Sequence, residues 1–141
     1  MNRRQERRSD CPIGLSLDVI GDRWSLLLVR TLMFAGERTF TELAEFREKI
    51  ATNILAERLE RLEAAGIVCR RADPADGRKY RYGLTDKGFD LMPVLLDLIA
   101  WGMKYNPDAN YPTAVVEQVA RDHGYTSTGR IASQKIERPL P

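Results

Sequence analysis

The stretch from Ile50 to Gly66, IATNILAERLERLEAAG, decides how the rest of the chain reads. Leu55, Leu59 and Leu62 recur at helical spacing and predict a helix with one buried stripe, and Gly66 stands where that helix would stop. Asn53, Ala56 and Glu57 fall away from the stripe, with Thr52 near the first turn. A helix packed along one side, with short hydrogen-bonding side chains at its N-terminal end, has the shape and chemistry to enter a DNA major groove.

The flanks support that reading. Upstream, Phe40-Thr41-Glu42-Leu43-Ala44 reads as a short helix joined by a tight connection, with Thr41 as its cap and Thr39-Phe40 as a short edge strand. Downstream, Ile67 to Arg71, with Ile67 facing inward, and Lys79 to Leu84 read as strands around Asp73-Pro74-Ala75-Asp76-Gly77, which has strong turn chemistry. This hairpin carries Arg70, Arg71, Arg78, Lys79 and Arg81 against only Asp73 and Asp76. The fold class expected is therefore mainly α with a small β-hairpin wing, a winged helix-turn-helix, and the function expected is DNA binding.

The terminal segments predict a second copy. From Pro12 to near Gly21 a short helix puts Ile13, Leu17 and Ile20 on one side and Leu15 and Val19 on the other, so one core cannot cover it. Asp22 is the expected cap of a helix from Arg23 to Phe34, apolar all round at Leu26 to Val29, with Trp24 at its start and Gly36 at its stop. Thr85-Asp86 opens the last major helix, which Pro93 must kink or divide. Beyond it Leu91, Leu95, Leu98, Ile99 and Gly102 line one side, and Val94, Leu96, Trp101 and Met103 extend the apolar surface around most of the circumference. The expectation is a homodimer built from the two terminal helices, with Ile13, Leu15, Leu17, Val19, Leu95, Leu98, Ile99, Trp101 and Gly102 at the interface. The alternative is a monomer whose tail folds back.

At 141 residues, 43% apolar and 30% charged, the chain has the size and composition of one globular domain. The net charge of +2 decides little; the clusters do, including Arg3, Arg4, Arg7 and Arg8 at the N-terminus. The organisation expected is a flexible basic arm (1–10), a DNA-binding and dimerisation domain (11–104), and a C-terminal extension (105–141). That extension holds a polar helix from Thr113 to His123 and then a mobile tail from 126. Two distant cysteines make no disulfide framework, no apolar run reaches the roughly 18 residues that span a membrane, and the N-terminus lacks a secretory segment, so the expected place is the reducing cytoplasm.

Assembled, these pieces resemble the HxlR-type transcriptional regulators, winged-helix proteins related to MarR. The resemblance rests on Cys11-Pro12, Ile20-Gly21-Asp22-Arg23-Trp24-Ser25-Leu26-Leu27, Arg38-Thr39-Phe40-Thr41-Glu42-Leu43 and Ile54-Leu55-Ala56-Glu57-Arg58-Leu59. Leu84-Thr85-Asp86-Lys87-Gly88, Pro93-Val94-Leu95 and Ala100-Trp101-Gly102 complete it, over about residues 11–104. It implies a dimer, a recognition helix in the major groove, and a wing on the flanking backbone or minor groove. Ala51 and Asn53 stand where many relatives carry serine and lysine; losing the serine weakens a helix cap or phosphate contact, while Asn53 suits an adenine edge.

The DNA-binding candidates are Thr41, Ala51, Thr52, Asn53, Ala56, Glu57, Arg58, Arg78, Lys79 and Arg81, with an internal ion pair as the competing role for Arg58. Cys11, just before a helix whose amides and dipole favour a thiolate, is the candidate redox sensor; the resemblance implies such a thiol switch, and a packing residue is the plainer role. Cys69 reads as inert, in a strand among apolar neighbours. Trp24 and Trp101 are candidates for a ligand pocket, with core filling as the commoner role.

One histidine and two distant cysteines make no metal site, no catalytic pair or glycine-rich phosphate loop is present, and neither an enzyme nor a cofactor is expected. The expected partners are a pseudo-palindromic double-stranded operator with half-sites about one helical turn apart, a second copy of the chain, and a small-molecule or oxidant effector. The alternative function is a winged-helix module that binds protein and not DNA.

Overall fold

The buried leucine stripe and the elements that close over it are laid out in a computed structural model that describes residues 10–125. The basic arm up to residue 9 and the tail from residue 126 lie outside the described residues. The elements are α1 (Pro12–Ile20), α2 (Ser25–Phe34), β1 (Arg38–Thr39), α3 (Phe40–Ala44), α4 (Thr52–Ala64), β2 (Val68–Ala72), β3 (Tyr80–Leu84), α5 (Asp86–Phe89), α6 (Met92–Tyr105) and α7 (Thr113–Asp122).

The predicted stripe is the centre of the fold. Leu55, Leu59 and Leu62 of α4 are almost wholly buried together with Leu43 of α3, Val29 and Leu32 of α2, and Met92 and Leu96 of α6. Burying a leucine side chain contributes about 1.5–3 kcal/mol, so α4 is held by this packing more than by its own propensity. Gly66 ends the helix at φ +73, a left-handed conformation that costs glycine no steric strain. The chain then turns into β2, and β2 and β3 pair antiparallel from Val68 opposite Leu84 to Ala72 opposite Tyr80. β1 adds to the far edge of β3, giving the order β1-β3-β2. Helices three and four with this sheet make a winged helix-turn-helix, as the sequence predicted.

Several local expectations change. The α3 cap is Thr39, not Thr41: the Thr39 hydroxyl accepts the Glu42 amide, and Thr41 lies within the first turn. Asp22 is not the cap residue of α2, which begins only at Ser25 with Trp24 in the cap position. Its carboxylate still accepts the Trp24 and Ser25 amides at 2.8 and 3.0 Å, just ahead of the helix. The α3–α4 connection runs from Glu45 to Ala51 and is not tight; it turns at Lys49, whose φ of 45 lies in the region usually left to glycine. Pro93 divides the last helix into α5 and α6, entering α6 in its first turn, where no amide is needed.

The domain boundary expected at 104/105 is not a structural one. It falls inside the last turn of α6, and α7 packs on α2, adding Val116, Ala120 and the following Tyr125 to the same core. His123 closes this segment by stacking on Phe89, ring centroids 4.3 Å apart. The described part of the tail does fold back, because α7 is amphipathic and α2 leaves an apolar flank for it to cover.

Candidate nucleic-acid interface

The sequence places the leucines of α4 inward, and geometry then forces its other side outward. Ala51, Thr52, Asn53, Ala56 and Glu57 are all exposed, as is Thr41 on α3. The α4 N-terminus has no side-chain cap: Ala51 is the cap residue and offers no acceptor for the first amides of the helix. Replacing Ala51 with serine should therefore stabilise the chain by about 1 kcal/mol, read as a higher midpoint in urea unfolding. The connection behind this end is braced by Arg30 of α2, whose guanidinium donates to both carboxylate oxygens of Glu48 at 2.6 and 3.0 Å. That hydrogen bond holds the Glu48 carboxyl below its ordinary pKa against its partial burial.

Arg58 is committed within the subunit. Its guanidinium donates to Asp22 at 2.9 Å and also pairs with Glu57, and its side chain is only 22% exposed. Burial pushes the Asp22 carboxyl up, but hydrogen bonds from the Ser25 hydroxyl, the Trp24 amide, Arg58 and the Ser25 amide outweigh it and hold it at about 2. Asp22 thus ties the start of α2 to the middle of α4. Arg58 therefore positions α4 from within the subunit.

The wing divides its cations in the same way. Glu37 accepts from Arg71 and lies 3.9 Å from Arg81, which also reaches Asp73 at 3.5 Å. The Arg71 hydrogen bond holds the Glu37 carboxyl below its ordinary pKa. Arg81, expected at the DNA, therefore braces the hairpin near its turn. Asp73 also accepts the Ala75 amide and Asp76 the Arg78 amide, which sets the turn. Arg78, at 95% exposure with Asp76 3.6 Å away, and the exposed Lys79 are the cations this hairpin presents.

A second surface lies on the terminal helices. Ile13, Leu15, Leu17 and Val19 of α1 are exposed at 38–70%, and on α6 so are Leu98 at 48% and Trp101 at 67%. Ile99 and Gly102 are half-buried, and a Cβ on Gly102 would meet nothing within 4 Å. Leu95, expected with these residues, is instead buried, because α6 must seat Met92, Leu95 and Leu96 on the core. Of α1 only Ile20 is buried, so the subunit covers one end of one apolar side and leaves the rest exposed.

Cys11 is the exposed N-cap residue of α1, and the amides of Gly14 and Ile13 hold its thiol below the ordinary range. Cys69 is not among apolar neighbours: β2 is an edge strand, and the thiol is exposed with the Gly83 carbonyl 3.7 Å away. Neither tryptophan lines the large cavity of the subunit, and Trp101 stacks obliquely on Tyr105 at the surface. Among the described residues no cluster of His, Cys, Asp or Glu could hold a metal ion, and no helix is long and apolar enough to cross a membrane.

Three structural roles escaped sequence reading. Thr39 had a visible signal, the Thr-x-x-Glu pattern to Glu42. The pairing of Glu37 with Arg71 and of Asp22 with Arg58 had none, since those partners lie 34 and 36 residues away.

Comparison with known proteins agrees with this geometry. The family model described as HxlR-like helix-turn-helix matches residues 19–110. The chain is 36% identical over 95 residues to an HTH-type transcriptional regulator of Halalkalibacterium halodurans, covering 67% of this chain and 84% of that one. To the HTH-type regulator YdeP of Bacillus subtilis it is 35% identical over 95 residues, covering 67% and 73%. Among solved structures, the redox regulator HypR in its oxidized form superposes with a TM-score of 0.61 at 34% identity, over 68% of this chain and 98% of that one. Quinone-bound YodB of B. subtilis superposes at 0.57 and 33%, over 67% and 100%. With its exposed helix, charged wing and matching sequence, the chain belongs to the HxlR-like helix-turn-helix family of transcriptional regulators.

Proposed function

We propose that two copies join through α1 and α6 and bind a pseudo-palindromic operator as a repressor in the cytoplasm, with no catalytic role. The observation that carries the reading is the exposed N-terminal end of α4, where Thr52, Asn53 and Ala56 stand clear of the core, in a subunit whose wing presents Arg78 and Lys79. Asn53 is the base-reading residue suited to adenine, Ala56 reaches at most a thymine methyl, and Arg78 and Lys79 meet phosphate. Glu57 and Glu60 repel phosphate, so only the first turn of α4 approaches closely.

Gel-shift titration against the upstream DNA of its own gene, at two salt concentrations, tests this. Arg78→Ala should weaken binding to all sequences alike and flatten the salt dependence by about one unit. Asn53→Ala should instead relax preference at one base position. An unchanged preference removes Asn53 from the readout, and no operator shift at either salt removes the reading itself.

The effector side of the proposal is a thiol switch at Cys11. Its exposure, its lowered pKa and the redox and quinone-bound relatives support it. Diamide or a quinone should release the wild-type chain from its operator and leave Cys11→Ser bound. Equal release of both would assign sensing elsewhere.

A further inference from the structure

A cavity of about 690 Å³ opens between α2, α6 and the segment 110–116 that leads into α7. Its lining is mostly apolar, drawn from residues such as Leu27, Phe34, Ile99 and Val116, with Asn110 and Tyr111 as polar additions. The volume falls within the range of small-molecule sites, about 300–1,000 Å³. Part of one wall lies beyond the family match, which ends at residue 110: Tyr111, Pro112, Val115 and Val116 follow it.

We propose that this cavity binds a small, uncharged aromatic molecule. The charge balance of the lining selects that class. Arg30 is already neutralised by Glu48 at 2.6 Å, Arg47 also lies in the field of Glu48, and the Thr31 hydroxyl donates to the Leu27 carbonyl at 3.0 Å. An anion would compete with Glu48 for these cations, whereas a neutral ring loses no hydration of charge on entering. The cavity wall also includes Phe46 and Arg47 of the connection that leads into α4, and Arg30 holds Glu48 of the same connection. Occupancy therefore presses on the segment that sets the recognition helix. This coupling rests on the DNA-binding reading above; binding itself does not.

The probe is N-phenyl-1-naphthylamine, an uncharged fluorescent aromatic, titrated into the full chain. We expect saturable binding at one probe per subunit, weakened about tenfold or more by Leu27→Trp, which fills the cavity from α2, and by Val115→Trp, which fills it from α7. Circular dichroism checks that each variant folds, and either one alone suffices. Tyr80→Ser, on the exposed wing and outside the cavity lining, should leave the affinity unchanged. Equal affinity in a folded filled variant, or loss in Tyr80→Ser, overturns the site by putting the probe on the exposed surface. A filled variant that becomes monomeric while the wild type is dimeric also overturns it, because the groove then holds a second copy. With the probe saturating, operator affinity should fall several-fold; no change with binding intact overturns the coupling. A chain that takes the probe but shifts no DNA would fail the earlier reading and not this one.

Discussion

Replacing Asp22 with alanine is expected to cost about 2–4 kcal/mol of stability and to weaken operator binding in what remains folded. The carboxylate accepts from the Trp24 and Ser25 amides, the Ser25 hydroxyl and Arg58, and Ser25 is itself buried. Its removal leaves the half-buried Arg58 guanidinium with Glu57 alone and a buried hydroxyl without its acceptor, a case where the loss exceeds the usual value of one hydrogen bond. The acid limb of the stability curve gives an independent check. The folded pKa is about 2 against an ordinary 3.8, so the proton binds less readily in the folded state. The stabilisation is then complete above about pH 4 and is lost as pH falls from there through about 2, amounting to about 2 kcal/mol. Glu37, Glu48 and Asp73 are also held low and titrate in the same limb. The quantity to measure is therefore the difference between wild type and Asp22→Asn in urea unfolding from pH 7 to 2. It should shrink toward zero at the acid end; a difference independent of pH would mean that the charge of Asp22 does nothing.

Replacing Trp101 with aspartate should leave the subunit folded and abolish the dimer. Trp101 is 67% exposed, so the substitution removes little from the core, yet it would set a charge in the middle of the proposed contact with the partner's α1 and α6. Sedimentation equilibrium should then report a single 16.1 kDa subunit where the wild type reports twice that mass. Operator affinity should fall by about 10²- to 10³-fold, since each recognition helix would have to find its half-site alone. A variant that still sediments as a pair would move the interface off this surface.

The two predictions concern parts of the molecule that were unequally legible. Leu55, Leu59 and Leu62 announced α4 because a helix buried on one side leaves its period in the sequence, and Asp73 to Gly77 announced the hairpin through turn chemistry that acts within a few residues. The exposed apolar residues of α1 were legible for the same reason. Pairings across the chain were not. The buried stripe beside Arg58 hinted at its internal ion pair, but nothing in the sequence names Asp22 as the partner. Nor does anything there separate Arg81, held by Glu37 and Asp73, from Arg78, which is presented to solvent, because the fold alone brings those carboxylates near. Cys69 was misplaced for a related reason: whether a strand residue meets apolar neighbours depends on sheet order, and β2 turned out to lie at the edge. Leu95 was misassigned because the division at Pro93 resets which residues of α6 face inward.

The packing of α7 on α2 has a consequence for synthesis. α2 leaves the ribosome early, but the residues that cover its flank, Val116, Ala120 and Tyr125, emerge among the last described ones. A nascent chain therefore carries a bare apolar strip on its second helix until α7 has been made. A product cut short before α7 keeps that strip and becomes a substrate for chaperones and proteases.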